Sequence, residues 1–291
     1  MTFLALMVGC MASDADRFRS ALPDERLLVD FPSDATARVG EPSTYWRFTQ
    51  EVSTGVNVLT ATVLAGVNIV TTFEPTITNG DTALWGPWTD QGVDGQLTIN
   101  DLGDGQFTWL LEGRLTGTTP WLALAVGDST PGEEGDLGVG SFVLDLDAIT
   151  AVDPDSTATG AFAVTYSGDG ETTSVDAFLD DFAENGAAPG DAATSWDQDA
   201  DGGAMNLVIV ADMSVDSLPE TILVRSRWIG SGEGRADAWV TGGDLGILAL
   251  TVSECWDAAA ITTWLDDDIS LVVEGDPTRC PYADAEYPDA P

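Results

Sequence analysis

The chain has 291 residues, 44% of them hydrophobic, which is enough for a substantial core, so its formal net charge of -39 must lie on a folded surface. All ten cationic residues are arginine, so no basic patch is present to bind nucleic acid or to attach the chain to anionic lipid. The absence of histidine and lysine excludes Ser-His-Asp and Cys-His catalysis, Schiff-base chemistry and the phosphate-binding lysine of P-loops.

The first ten residues resemble a bacterial lipoprotein signal. An apolar run at residues 3–8 is followed by Gly9-Cys10. This pattern predicts a signal peptide over residues 1–9, a lipid on Cys10 and an exported protein. The run is short and lacks a basic flank; a start site placed too far downstream would explain both departures. The alternative is an ordinary N-terminus with a stray cysteine.

A long helix is predicted beyond the signal. Residues 10–40 are expected to form a lipidated tether that leads into the domain. Apolar residues then recur at steps of three and four, the period of one helix face, at Tyr45, Phe48, Val52, Val56, Leu59, Val63, Val67 and Val70. The pattern predicts a helix over residues 43–70, with Pro42 in its first turn and Pro75 beyond its end.

Residues 52–73 of this segment carry no charge and are long enough to cross a bilayer. Their polar side chains would each need a partner in hydrocarbon, so we expect instead a helix buried on several sides by protein, with Val56, Leu59 and Val63 in the core. The many valines lower helix propensity, and a pair of strands is the alternative.

Short apolar stretches separated by Gly, Asp, Asn and Pro follow Pro75, which is typical of antiparallel strands joined by turns. Hairpins are predicted at residues 96–114, 160–178 and 221–241, and further strands at 121–126, 141–146, 205–213 and 247–252. No crossover helix regularly follows a strand, which argues against a parallel sheet. The sequence therefore predicts one α+β domain over residues 41–291, a curved, mainly antiparallel meander sheet packed around one long helix.

The clearest metal-like motif is Asp197-Gln198-Asp199-Ala200-Asp201-Gly202, because alternating carboxylates before a glycine can wrap a hard cation such as calcium. The position of the bidentate glutamate in an EF-hand loop is occupied by Val208. A solvated turn is the favoured interpretation, and a calcium site at Asp197, Asp199 and Asp201 is the alternative. No catalytic residues and no cofactor are predicted, and we do not expect an enzyme.

The chain has ten tryptophans. Large rings dominate the buried area of a curved sheet, so most of them are expected in the core. A flat face of exposed rings that binds sugar is the alternative.

Two cysteines remain once Cys10 is set aside. One disulfide between Cys255 and Cys280 is their simplest use in an exported protein, since such bonds persist outside the cytoplasm. Two buried free thiols are the alternative. Metal binding is less favoured, because two thiolates without histidine do not fill a tetrahedral site.

Several motifs look like segments of a known group of proteins: Leu84-Trp85-Gly86-Pro87-Trp88, Arg225-Ser226-Arg227-Trp228, Gly234-Arg235-Ala236-Asp237, Ser253-Glu254-Cys255-Trp256-Asp257 and Glu274-Gly275-Asp276 with Cys280. Through them the chain resembles a group of myxobacterial-type exported lipoproteins over most of its length after Ala21. The resemblance implies a lipid on Cys10 and a Cys255–Cys280 pair. It implies no activity, because none is established for the group.

Two classes of function follow from the sequence. We expect an envelope lipoprotein with a structural or interaction role, anchored to the outer membrane through Cys10 and facing the periplasm or the cell surface. The alternative is a carrier of lipid or another apolar ligand between sheet and helix, similar in outline to the half-barrel lipoprotein carriers of the periplasm. Because protein cores are normally close-packed, we expect no cavity between Val52, Leu59 and Val63 and the strands.

Overall fold

The computed structural model describes residues 14–32, 42–133, 136–211 and 218–282. The expected signal peptide at residues 1–9, the lipidation site Cys10 and the side chain of Val70 lie outside the described residues.

One antiparallel sheet dominates the described part of the chain. Each strand pairs with its neighbours in sequence, so the sheet runs in chain order and stays open between its two edges. The expected antiparallel sheet is confirmed. The strands are β1 (Ile77–Asn79), β2 (Thr82–Asp90), β3 (Val93–Gly103), β4 (Gln106–Leu115), β5 (Leu122–Thr130), β6 (Gly138–Asp145), β7 (Thr159–Gly168), β8 (Thr172–Ala183), β9 (Gly190–Asp199), β10 (Gly202–Ala211), β11 (Glu220–Ile229), β12 (Gly234–Gly242), β13 (Ala249–Trp256), β14 (Thr262–Asp267) and β15 (Val272–Gly275).

The helices are α1 (Asp14–Arg19), α2 (Thr44–Thr71) and α3 (Leu146–Val152), with short 3₁₀ helices at Glu25–Leu27, Gly243–Leu245 and Pro277–Arg279. Helix α3 was not expected from the sequence. Its start is marked by Asp145, whose carboxylate accepts a hydrogen bond from the backbone N–H of Ala148 at 2.8 Å.

The turn between β3 and β4 shows how the Gly-Asp clusters form hairpins. Gly103, Asp104 and Gly105 all have positive φ, a conformation that glycine and aspartate tolerate best. The carboxylate of Asp101 accepts a hydrogen bond from the N–H of Gly103 at 2.7 Å. The local sequence therefore determines where the chain reverses.

Large rings on the core face of the sheet lie over glycines of the adjacent strand. Trp109 pairs with Gly127, and a Cβ added at Gly127 would lie 2.4 Å from the indole. Trp228 covers Gly203 in the same way, and a Cβ there would lie 2.5 Å from the ring. Glycine opposite tryptophan therefore makes room for bulky rings on this face.

The start of α2 is fixed by a residue of β13. Ser43 caps the helix, since its hydroxyl accepts a hydrogen bond from the N–H of Trp46 at 3.0 Å. The buried carboxylate of Glu254 accepts from the N–H groups of Thr44 at 3.3 Å and Tyr45 at 2.8 Å. A negative charge at this position also interacts favourably with the helix dipole.

The buried side of α2 differs from the expected apolar stripe. Three small polar residues interrupt the apolar row on this side. The buried row consists of Trp46, Thr49, Ser53, Val56, Thr60, Val63 and Val67. The Thr49 hydroxyl lies 2.7 Å from that of Ser226 on β11, so this polar group is satisfied inside the protein. Leu59, expected in the core, is only partly buried.

The opposite side of α2 is exposed, so the expectation of a helix buried on several sides is wrong. Thr54, Ala61 and Ala65 are exposed, and Val58 keeps 59% of its surface in solvent. Small side chains there explain how an uncharged segment remains compatible with water. In the described part of the chain, no helix combines the length and apolarity needed to cross a membrane.

Residues 14–32 belong to the packed domain. Phe18, Ala21 and Leu27 have at most 1% of their surface exposed and join the main core cluster. The ring of Phe18 contacts that of Phe107 on β4, with centroids 6.4 Å apart. The expected domain boundary at residue 41 therefore falls after residues that already contribute to the core.

Candidate functional site

A cleft open to solvent lies between the second half of α2 and the sheet. We call it the helix–sheet cleft; its volume is about 630 Å³. Its apolar walls come from α2, β2, β4, β5, β6 and α3, and include Val63, Trp88, Leu111, Leu124, Leu144, Ile149 and Val152. The expectation that no cavity separates helix and strands is therefore wrong beside Val63, although Val52 and Leu59 do not line the cleft.

Three glycines shape the cleft. A Cβ at Gly66 of α2 would lie 2.9 Å from the Leu111 side chain, and one at Gly113 would lie 2.6 Å from Leu124. At Gly95 the same atom would lie 2.5 Å from the Trp88 indole. Larger residues would force these walls apart, so glycine sets the position of the apolar side chains.

A polar cluster holds the wall formed by β2, β3 and β4. Asp94 accepts hydrogen bonds from the hydroxyls of Thr89 at 2.8 Å and Thr116 at 3.0 Å, and from the Arg114 Nε at 3.2 Å. The Thr89 hydrogen bond is the largest cause that lowers the pKa of Asp94; burial opposes it, and Thr116 and Arg114 add to it. The cluster fixes the hairpin whose residues Val93 and Gly95 line the cleft.

The mouth of the helix–sheet cleft is acidic. Asp90, Asp153 and Asp155 line it and are exposed. The Asp153 carboxylate also accepts a hydrogen bond from the N–H of Asp155 at 3.0 Å, which orders this loop. Apolar walls behind a negatively charged rim favour an apolar ligand without an anionic head group.

The predicted cysteine pair lies on the far side of the sheet from α2. The structure places Cys255 and Cys280 at disulfide distance, with their Cα atoms 5.5 Å apart. The Arg235 Nη1 donates a hydrogen bond to the carbonyl of Tyr282 at 3.2 Å. Both contacts hold the segment that follows β15 against β12 and β13.

Three arginines on this face of the sheet stack on aromatic rings. The guanidinium carbon of Arg225 lies 5.9 Å from the Trp239 ring centroid, and that of Arg235 lies 5.3 Å from the Trp264 centroid. Arg227 lies 4.2 Å from the ring of Tyr282. Arg235 also forms a two-pronged ion pair with buried Asp237, both contacts at 2.8 Å. The contacts of Arg227 and Arg235 with Tyr282 stabilise the C-terminal segment. No local pattern in the sequence predicted these contacts.

The acidic motif forms the turn between β9 and β10. Asp199 accepts hydrogen bonds from the N–H groups of Asp201 at 2.7 Å and Gly202 at 3.0 Å. Asp197 accepts one from the Ser174 hydroxyl at 2.5 Å. Over the described residues, no group of three or more Asp, Glu, Cys or His side chains is arranged to hold a metal ion.

Most tryptophans that the structure describes are in the core. Six of them have 8% or less of their surface exposed, namely Trp46, Trp85, Trp109, Trp196, Trp228 and Trp256. Of the half-buried rings, Trp88 lines the helix–sheet cleft, whereas Trp239 and Trp264 are covered by arginines on the other face. The half-buried rings are thus divided between the two faces of the sheet.

The glycines and Trp88 that shape the cleft could not be identified from the sequence, because the contacts between them depend on strand register. Comparison with known proteins adds no assignment: no family model, no curated protein and no solved structure matches this chain.

Proposed function

We propose that this protein is an envelope lipoprotein, anchored through a lipid on Cys10, that binds an apolar ligand in the helix–sheet cleft. The single observation that carries the binding function is the cleft itself, with a volume of about 630 Å³. Ligand sites typically enclose about 300 to 1,000 Å³ and combine apolar walls with a few polar groups.

We further propose that the sheet packs around α2. Helix α2 contacts β2 near one edge of the sheet and β12 and β13 near the other, which supports this arrangement. Because strands near both edges of the sheet contact α2, the helix can stay in position although a cleft remains beside its second half. The cleft then lies where Gly66 and Val63 face Leu111.

The ligand we propose is a neutral molecule with an alkyl chain. Burial of eight methylene groups would contribute roughly 6 kcal/mol, before the cost of association is subtracted. Asp90, Asp153 and Asp155 at the mouth would repel a carboxylate or phosphate. A long-chain alcohol should therefore bind better than the corresponding fatty acid.

The test uses 1-dodecanol as ligand and displacement of the neutral dye Nile red as readout. Thr62→Trp should obstruct the cleft, because Thr62 is exposed and lines it. Thr54→Trp is the matched control, since Thr54 is also exposed on α2 but does not line the cleft. We expect the first variant to lose dodecanol binding and the second to retain it.

Native mass spectrometry of protein purified from membranes gives an independent measurement, because it reports the anchor and any retained lipid together. Absence of dodecanol binding and of copurified lipid would refute the cleft proposal and leave a structural or interaction role. Cys10→Ser should release the folded protein from membranes; unchanged membrane retention would refute the anchor.

A further inference from the structure

A second depression lies on the outer face of the sheet, opposite the core. We call it the outer-face pocket; it spans β7 to β10 and encloses about 330 Å³. Ala163, Ala193, Val208 and Phe178 supply its apolar lining. Phe178 is 42% exposed, so one aromatic ring is accessible to a ligand.

A buried amide faces this pocket with one atom unsatisfied. Asn206 lines the pocket and keeps only 7% of its surface in solvent. Its Nδ2 donates a long hydrogen bond of 3.4 Å to the Ser195 hydroxyl, and its Oδ1 has no hydrogen-bond partner among the described residues. Buried polar atoms in proteins nearly always have a partner, so this oxygen is a candidate acceptor for a donor group of a ligand.

A carboxylate lies in the same row. Asp176 pairs across strands with Ser195, which pairs in turn with Asn206, so the Cα atoms of Asp176 and Asn206 lie two strand spacings, roughly 10 Å in all, apart. Side chains that lean over Ser195 from both strands can bring the two acceptors within reach of one ammonium group with several N–H donors. Burial, and then the negative charge of Asp197, raise the pKa of Asp176.

The nearest cation in this row does not occupy the pocket. Arg225 pairs with Asn206 on the far side, but its guanidinium stacks over Trp239 and it does not line the pocket. The pocket therefore presents acceptors, one carboxylate and apolar surface. In a chain with a net charge of -39, such a site attracts cations rather than anions.

We propose that the outer-face pocket binds a small organic ammonium ion, whose N–H groups donate to Asp176 and to the Oδ1 of Asn206 while its apolar body packs on Phe178 and Val208. The aromatic ring adds a cation–π contribution. This site is separate from the helix–sheet cleft, and its success or failure does not depend on the function proposed for the cleft.

The probe is benzylammonium, with benzyl alcohol and methyl β-glucoside as neutral controls. Binding is measured by NMR titration of the Asn206 side-chain amide and by calorimetry. We expect saturable binding of benzylammonium at millimolar concentrations and at least about tenfold weaker binding of both neutral compounds. Equal binding of benzyl alcohol or the glucoside would overturn the ammonium assignment, and no saturable binding of any probe would overturn the site.

Two variants test the residues. Asp176→Asn should weaken benzylammonium binding about tenfold, which is about 1.4 kcal/mol. Asp180→Asn is the matched control, since Asp180 is an exposed carboxylate on β8 that does not line the pocket, and it should change binding less than about twofold. If both variants weaken binding equally, Asp176 acts only through the net negative charge of the protein, which would contradict the proposal.

The variant at Asn206 distinguishes a loss of binding from a loss of folding. Asn206→Leu replaces the unsatisfied amide with an apolar side chain of similar size, so stability should stay the same or rise while binding is lost. A folded Asn206→Leu protein that binds benzylammonium as well as the parent would refute a role for the Asn206 oxygen.

Discussion

Glu254 provides the strongest single test of how α2 is attached to the sheet. Its buried carboxylate accepts hydrogen bonds from three donors, the N–H groups of Thr44 and Tyr45 and the Thr262 hydroxyl at 2.6 Å. Burial, and then the negative charge of Glu254, raise the pKa of Tyr45 to about 12. Removal of the carboxylate therefore disturbs the helix start and β14 together.

Glu254→Ala leaves these donors without their partner. At roughly 1 kcal/mol for each lost hydrogen bond, the free energy of unfolding should fall by about 3 kcal/mol. Glu254→Gln keeps the shape but loses the charge at the helix N-terminus, so a loss of about 1 to 2 kcal/mol is expected. The first turn of α2 should also exchange its amide hydrogens faster in both variants.

Urea unfolding with linear extrapolation measures these changes. Glu274→Ala is the control, because Glu274 is an exposed glutamate on β15, and it should change stability by less than about 0.5 kcal/mol. If Glu254→Ala is no more destabilising than Glu274→Ala, the attachment of α2 through Glu254 is refuted.

Val63→Asp should destabilise the protein by about 4 kcal/mol or more, because it buries an unpaired charge. Val58→Asp, at a position 59% exposed, should leave the melting temperature nearly unchanged. Similar melting temperatures of the two variants would contradict the assigned sides of α2. Peptide mapping without reductant should recover Cys255 joined to Cys280, and the Cys255→Ser, Cys280→Ser double variant should lose about 3 kcal/mol; free thiols in freshly exported protein would oppose this. The pKa of Asp94 is lowered in the folded state, so its contribution to stability is present above the unfolded pKa of about 3.9 and is lost as the pH falls through the folded pKa. Asp94→Asn should therefore make the free energy of unfolding less dependent on pH in that range. An unchanged acid denaturation profile would argue against the cluster around Asp94.

Local patterns determined much of the secondary structure. The Gly-Asp cluster at residues 103–105 produced a hairpin at the expected place, because positive φ is a property of these residues and their neighbours. The spacing of Val56, Val63 and Val67 indicated one side of a helix, because side-chain direction repeats every 3.6 residues. Such signals require no knowledge of distant residues.

The sequence by itself thus determined the antiparallel sheet, its main turns and the absence of histidine and lysine chemistry. Only the tertiary structure decided which side of α2 is buried, why Glu254 lies at the helix start, and where a cleft remains beside Gly66 and Gly113. The reason is that strand register brings residues far apart in sequence into contact, and a one-residue change of register would reverse every side chain of a strand. The volumes left between such residues depend on all of them at once, so neither the helix–sheet cleft nor the outer-face pocket could be predicted from a local pattern.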